Sequence, residues 1–129
     1  MPQITVIIPV YNAEQYLEEC LESIVSQSFC DRVCICVNDG STDSSAEILE
    51  AYASKDKRII VLNQNNSGPS IARSKGLECA TGRYILFQDA DDFIEGHAYA
   101  QLVELMEKTQ VDVLGFSYET CPDRQLSRF

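Results

Sequence analysis

Ile4-Thr-Val-Ile-Ile-Pro-Val10 is β-branched or apolar at almost every position and gives way at once to Tyr11-Asn12. A strand with one wet face alternates between apolar and polar residues. A strand covered on both faces does not, so this segment belongs inside a parallel sheet with helices above and below. After it, Asn12 with Gln15 reads as a helix start, and Leu17, Cys20, Leu21, Ile24 and Val25 repeat at the spacing of one helical face, to about Gln27. The unit recurs. Val33–Val37 reads as a strand, Gly40-Ser-Thr-Asp-Ser-Ser45 as a polar loop, and Ser44 with Glu47 as a capping box before Ile48, Leu49, Tyr52 and Ala53. Ile59 to Leu62 gives a third strand, and Asn65 to Pro69 a turn into a helix that ends near Gly82. Tyr84 to Gln88 gives a fourth strand, Ala98 to Met106 an amphipathic helix, and Val111 to Tyr118 a fifth strand; Cys121 to Phe129 is an irregular tail.

Strands alternating with helices through short loops imply right-handed crossovers and an α/β, Rossmann-like, mostly parallel sheet. In such sheets ligands bind beyond the carboxyl ends of the strands, where strand order reverses. Those ends here carry Pro9-Val-Tyr-Asn12, Asn38-Asp-Gly-Ser-Thr-Asp43 and Gln88-Asp-Ala-Asp-Asp92.

The chain has 129 residues, 45% of them hydrophobic, which fits one compact domain. Its apolar runs are far shorter than the roughly 20 residues of a membrane span. No leader pattern precedes the first strand, so a cytoplasmic domain is expected, or one peripheral to the inner face of the membrane. A net charge of −10 argues against nucleic-acid binding, which rests on cations neutralising phosphates. Six cysteines at 20, 30, 34, 36, 79 and 121 form no Cys-x-x-Cys pair; they read as small buried hydrophobes in a reducing compartment rather than as a zinc site or disulfide framework.

Each candidate site residue has a plain alternative. Asp89 and Asp91, with Asp92 beside them, crowd carboxylates where a strand meets a loop; a hard cation such as Mg²⁺ or Mn²⁺ would relieve the repulsion, or the group is an exposed turn capping the next helix. Asp39, at the end of strand 2, could accept a hydrogen bond from the edge of a nucleobase, or could bond the amides of its own turn. Gly68 starts a helix with Arg73 one turn inside it, an arrangement suited to a diphosphate or simply a surface arginine. Tyr11 could stack on a base or pack at the sheet edge. His97 reads as a first-turn polar residue, not a catalyst.

Ile4-Thr-Val-Ile-Ile-Pro-Val-Tyr-Asn12, Val37-Asn-Asp-Gly-Ser-Thr-Asp43, Asn66-x-Gly68-x-x-x-Ala72-Arg73 and Asp89-Ala-Asp91-Asp92 together resemble, in order and spacing, the signature of family 2 GT-A glycosyltransferases over residues 3 to 118. The resemblance implies a nucleotide-sugar-binding domain over 1–118 with a tail over 119–129. It implies Pro9 and Tyr11 as the wall of a uracil pocket, Asp39 reading the base, and Gly68 and Arg73 beside nucleotide or phosphate. It implies Asp89 and Ala90 at the ribose side and Asp91, with Asp89, at a Mn²⁺ or Mg²⁺ ion. Asn38 stands where many members carry Asp, and Ser74 where Asn is usual after Ala-Arg. The implied reaction is inverting transfer from a nucleotide-sugar, a UDP-sugar ahead of GDP- or dTDP-sugars, to a sugar, lipid-linked or glycan acceptor in bacterial-type polysaccharide or glycoconjugate synthesis. The implied catalytic base lies beyond the fifth strand and past Phe129, so the chain is expected to be a truncated donor-binding half with little or no turnover.

Two other classes compete. A phospho-acceptor receiver domain has similar length and architecture, but needs an acidic pair after strand 1, an Asp after strand 3 and a Lys after strand 5. Pro9-Val-Tyr-Asn12, Asn63-Gln-Asn-Asn66 and Ser117-Tyr-Glu-Thr120 occupy those places. A non-catalytic sugar-nucleotide module shares every motif.

Overall fold

The computed structural model describes residues 3–110 and Asp112. Four strands, β1 (Ile4–Val10), β2 (Arg32–Asp39), β3 (Ile59–Gln64) and β4 (Tyr84–Phe87), alternate with α1 (Leu17–Val25), α2 (Ser45–Lys55), α3 (Pro69–Cys79) and α4 (Ala98–Thr109). The sheet is parallel throughout, in the order β3-β2-β1-β4. The α/β class and parallel sheet expected from the sequence are therefore present. The fifth strand at 111–118 and the tail lie outside the described residues.

Chain order runs outward from β1 to β3 and then jumps back across β1 to β4. The helix that makes this return, α3, packs on β1 and β2 and meets the opposite face of the sheet from α1, α2 and α4. Ile4, Val6, Ile8 and Val10 of β1 and Cys34 and Cys36 of β2 form the large core with Leu17, Leu21, Ile24, Leu49 and Tyr99. Ile35 and Val37 point the other way and meet Ala72 of α3 in a smaller one. Both faces of β1 are thus covered, which is why its sequence does not alternate.

The small core depends on close approach. A Cβ added to Gly76 of α3 would lie 2.6 Å from Cγ2 of the fully buried Ile7. Alanine is ordinarily worth about 1 kcal/mol more than glycine inside a helix, but overpacking a core costs about 1–3 kcal/mol. Gly76→Ala is therefore expected to lower the midpoint of thermal unfolding by several degrees, measured by circular dichroism. An unchanged or raised midpoint would show that α3 can slide outward freely.

Local signals placed three features differently. Asn12 is not a helix cap: it sits at φ +46°, and its side chain accepts from the Thr42 amide at 2.8 Å, while α1 begins only at Leu17 after a turn over 13–16. The Ser44 side chain makes no cap bond. The Ser45 amide donates to Asp43 Oδ1 at 2.9 Å and the Ser44 amide to Glu14 Oε2 at 2.9 Å, so α2 is capped by neighbouring carboxylates. β2 also continues through Asn38 and Asp39, which pair with Asn63 and Gln64. Among the described cysteines, all free, 20, 34 and 36 are buried as expected, but 30 and 79 are exposed.

Candidate functional site

The reversal of strand order lies between β1 and β4, and a cleft of about 690 Å³ opens at their carboxyl ends. Its lining includes Pro9, Tyr11, Asp39, Gly68, Arg73, Asp89, Ala90 and Asp91, the residues that the resemblance implies at the donor and metal sites, together with Asn12, Tyr16 and Asn66; Asp92 is not in the lining. His97 is not part of it; its ring Nδ1 lies 2.9 Å from Ser28 Oγ.

Asp39 is 3% exposed, and its donors come from the end of β3 and the loop that follows it rather than from its own turn. Oδ1 accepts from Gln64 Nε2 at 2.8 Å and the Ser67 amide at 2.7 Å; Oδ2 accepts from the Gly68 amide at 3.0 Å and Asn66 Nδ2 at 3.4 Å. Burial alone would raise its pKa. The Gln64 side chain and the Ser67 and Gly68 amides outweigh it and hold the carboxyl below the usual aspartate value. Gly40 lets the loop come this close: it has φ +73°, and a Cβ there would sit 2.8 Å from the Asn66 nitrogen. Nothing in the local sequence marks Gln64 or Ser67 as partners of Asp39. Their part depends on the β2–β3 register, which sets Asp39 opposite Gln64.

The rim bearing Tyr11, which is 52% exposed, is tied to the β2–α2 loop. The Asn12 amide donates to Ser41 Oγ at 3.1 Å, the Ala13 amide to Ser45 Oγ at 2.9 Å and the Glu14 amide to Asp43 Oδ2 at 3.2 Å. Backbone donors that a loop would otherwise leave to water are thus satisfied by the neighbouring β2–α2 loop and the first residue of α2, which fixes the rim.

Across the cleft, the acidic turn is held from beneath. Fully buried Tyr99 donates its hydroxyl to Gln88 Oε1 at 3.1 Å, Gln88 Nε2 lies 3.5 Å from Cys20 Sγ, and Cys20 Sγ lies 3.7 Å from the Asp89 carbonyl. Asp89, Asp91 and Asp92 are exposed, and each can offer one carboxylate oxygen with all three within 4.8 Å of one another. That is a set of hard oxygen donors at a spacing a six-coordinate Mg²⁺ or Mn²⁺ could share with water and phosphate, so the residues fit such an ion. Arg73, from α3, reaches the same turn: Nη2 lies 3.1 Å from Asp89 Oδ1. The cleft therefore has a carboxylate at one end held by a loop, and a cluster of carboxylates with a guanidinium at the other.

A profile described as Glycosyl transferase family 2 matches residues 5–128. The uncharacterized glycosyltransferase EpsJ of Bacillus subtilis (strain 168) is 41% identical over 126 residues, 97% of this chain and 37% of EpsJ. Among solved structures, S. aureus TarS 1-349 in complex with UDP-GlcNAc superposes with a TM-score of 0.88 at 31% identity, over 96% of this chain and 36% of that one. The mannosyltransferase PcManGT from Pyrobaculum calidifontis, in complex with GDP-Man and Mn²⁺, gives 0.78 at 25% identity, over 85% and 34%. The chain thus spans little more than a third of the length of these proteins.

Proposed function

Because the chain belongs to glycosyl transferase family 2 and has the GT-A fold, we propose that it holds the donor, a UDP-sugar, for metal-assisted, inverting transfer of a hexose to an acceptor hydroxyl in bacterial-type polysaccharide synthesis. The observation that carries this reading is the meeting of Asp39, Arg73, Asp89 and Asp91 in one cleft at the strand-order reversal. A base would sit between Tyr11 and Asn66 and Gly68, which line the cleft together. Of the four bonds to Asp39, the one from Asn66 at 3.4 Å is the longest, so an imide N–H of uracil would take that place at least cost. The wrong base edge would set an acceptor against a buried carboxylate, which is how such a contact discriminates.

Arg73 lies in the cleft wall where a diphosphate would leave the base pocket, and its guanidinium would offer that anion a bidentate partner. Asp89 and Asp91 would hold the ion, with Asp92 beside them. When bound, Mg²⁺ or Mn²⁺ supplies Lewis-acid screening of the charge that accumulates on the departing β-phosphate. With Asp39 on the base and Asp89 and Asp91 on the ion, no carboxylate among the described cleft residues remains to deprotonate an acceptor, so these residues are expected to bind donor with little or no transfer.

Melting the protein against UDP-, GDP-, dTDP- and CDP-sugars, with and without Mn²⁺, tests the reading. UDP-sugars should give the largest upward shift, enlarged by Mn²⁺, since a ligand at a hundred times its Kd stabilises by about 2.7 kcal/mol. A flat response to all four donors would refute it, and a larger GDP-sugar shift would reassign the base. Robust transfer to an acceptor would instead place a base within these residues.

A further inference from the structure

We propose that Arg73 and a divalent cation compete for Asp89, so that a nucleoside diphosphate, by drawing Arg73 away, completes the metal site. The inference rests on the donor-site reading above and goes beyond it, from where ligands sit to how they depend on one another.

Three observations carry it. The guanidinium of Arg73 is on Asp89 Oδ1 at 3.1 Å, and Asp89 is one of the three carboxylates whose oxygens gather within 4.8 Å. An ion using that oxygen must displace the arginine or share a lone pair with it. The pair is also exchangeable: its side chains are 37% and 58% exposed, so water can replace either partner. Finally, among the described residues lining the cleft Arg73 is the one cation, so a diphosphate has no other side-chain charge there to recruit.

The exchange is most favourable when both ligands arrive, and a saturating ion alone can still drive it. A diphosphate offers Arg73 a bidentate partner carrying more charge than one carboxylate, and it leaves Asp89 free for the ion. The ion in turn releases Arg73 toward phosphate. By linkage each ligand must raise the affinity of the other by the same factor. Part of that factor runs through Arg73, and the rest is direct attraction between ion and phosphate.

Removing the arginine should therefore have opposite effects on the two ligands. In Arg73→Met, Mn²⁺ alone, followed by the electron paramagnetic resonance of the free ion, is expected to bind roughly two- to five-fold more tightly, the range an exposed ion pair supports. UDP alone should bind more weakly, and the factor by which UDP improves Mn²⁺ affinity should shrink without vanishing. On the wild-type protein, saturating Mg²⁺ without nucleotide should move the side-chain Nε–H resonance of Arg73 as its Nη2 leaves Asp89 Oδ1. Unchanged or weaker Mn²⁺ binding in Arg73→Met, or an Arg73 resonance indifferent to Mg²⁺, would overturn the competition while leaving the donor site standing. Absence of Mn²⁺ binding in both proteins even with UDP would sink the metal site, and this inference with it.

Discussion

Asp39→Asn is expected to lose UDP binding and to melt roughly 10 °C below the parent, although the two side chains are nearly the same shape. The carboxylate accepts from four donors and offers none. An amide in its place must point its NH₂ at either Gln64 and Ser67 or Asn66 and Gly68. One pair of donors then faces another in a site that is 3% exposed to water. Leaving buried donors unsatisfied costs about 1–3 kcal/mol each, and each kcal/mol moves the midpoint by about 4 °C for a domain of this size. The loop over 65–68 would come away from β2, and with it the wall of the base pocket.

The same residue sets a pH dependence. Its folded-state pKa is depressed, so unfolding takes up a proton as the pH falls below the ordinary aspartate value of 3.8. The stability it contributes is whole above that value and disappears as the pH drops through the folded value. Asp43 and Asp56 are depressed as well, so the parent's midpoint falls steeply in acid; Asp39→Asn should show a shallower fall over the same range. Parallel curves, or a variant that still responds to UDP with an unchanged midpoint, would mean the loop holds without the carboxylate.

How far the sequence could be read follows from which interactions are local. The strand at 4–10 announces itself through a β-branched run that is apolar at every position but Thr5, and its bounds agree with the structure. Pro9, Tyr11, Asp39, Gly68, Arg73, Asp89, Ala90 and Asp91 could be collected because the carboxyl ends of parallel strands must share one rim. What their side chains do there was not legible. The neighbours of Asp39 leave open whether it reads a base or bonds its own turn; the donors it uses are 25 to 29 positions away and are selected by the β2–β3 register. Asn12 has a cap's sequence context but is taken by Thr42, thirty residues on. Pairings across loops leave no periodicity behind, so a single sequence carries no trace of them.

Asp91→Ala should remove the Mn²⁺-dependent part of UDP binding while leaving the empty protein as stable as the parent or slightly more so. The two halves of that expectation have one cause. Three exposed carboxylates whose oxygens lie within 4.8 Å repel one another, with Arg73 paired to Asp89 alone; deleting Asp91 relieves the repulsion and removes no buried contact. The same closeness is what would bind the ion. A doubly charged cation loses an attraction that is large at ligand distance, even after screening by water at an exposed site, so Mn²⁺ affinity should fall by roughly a hundredfold or more. Isothermal titration with UDP, with and without Mn²⁺, reads this directly: the two curves separate for the parent and coincide for the variant. Asp91→Asn, which keeps an oxygen but not the charge, should fall between them. A destabilised empty variant would show that the turn is built for the fold, and an undiminished Mn²⁺ effect would move the ion elsewhere. Clustered charge that costs the empty protein stability is the pattern expected of a site kept for its ligand.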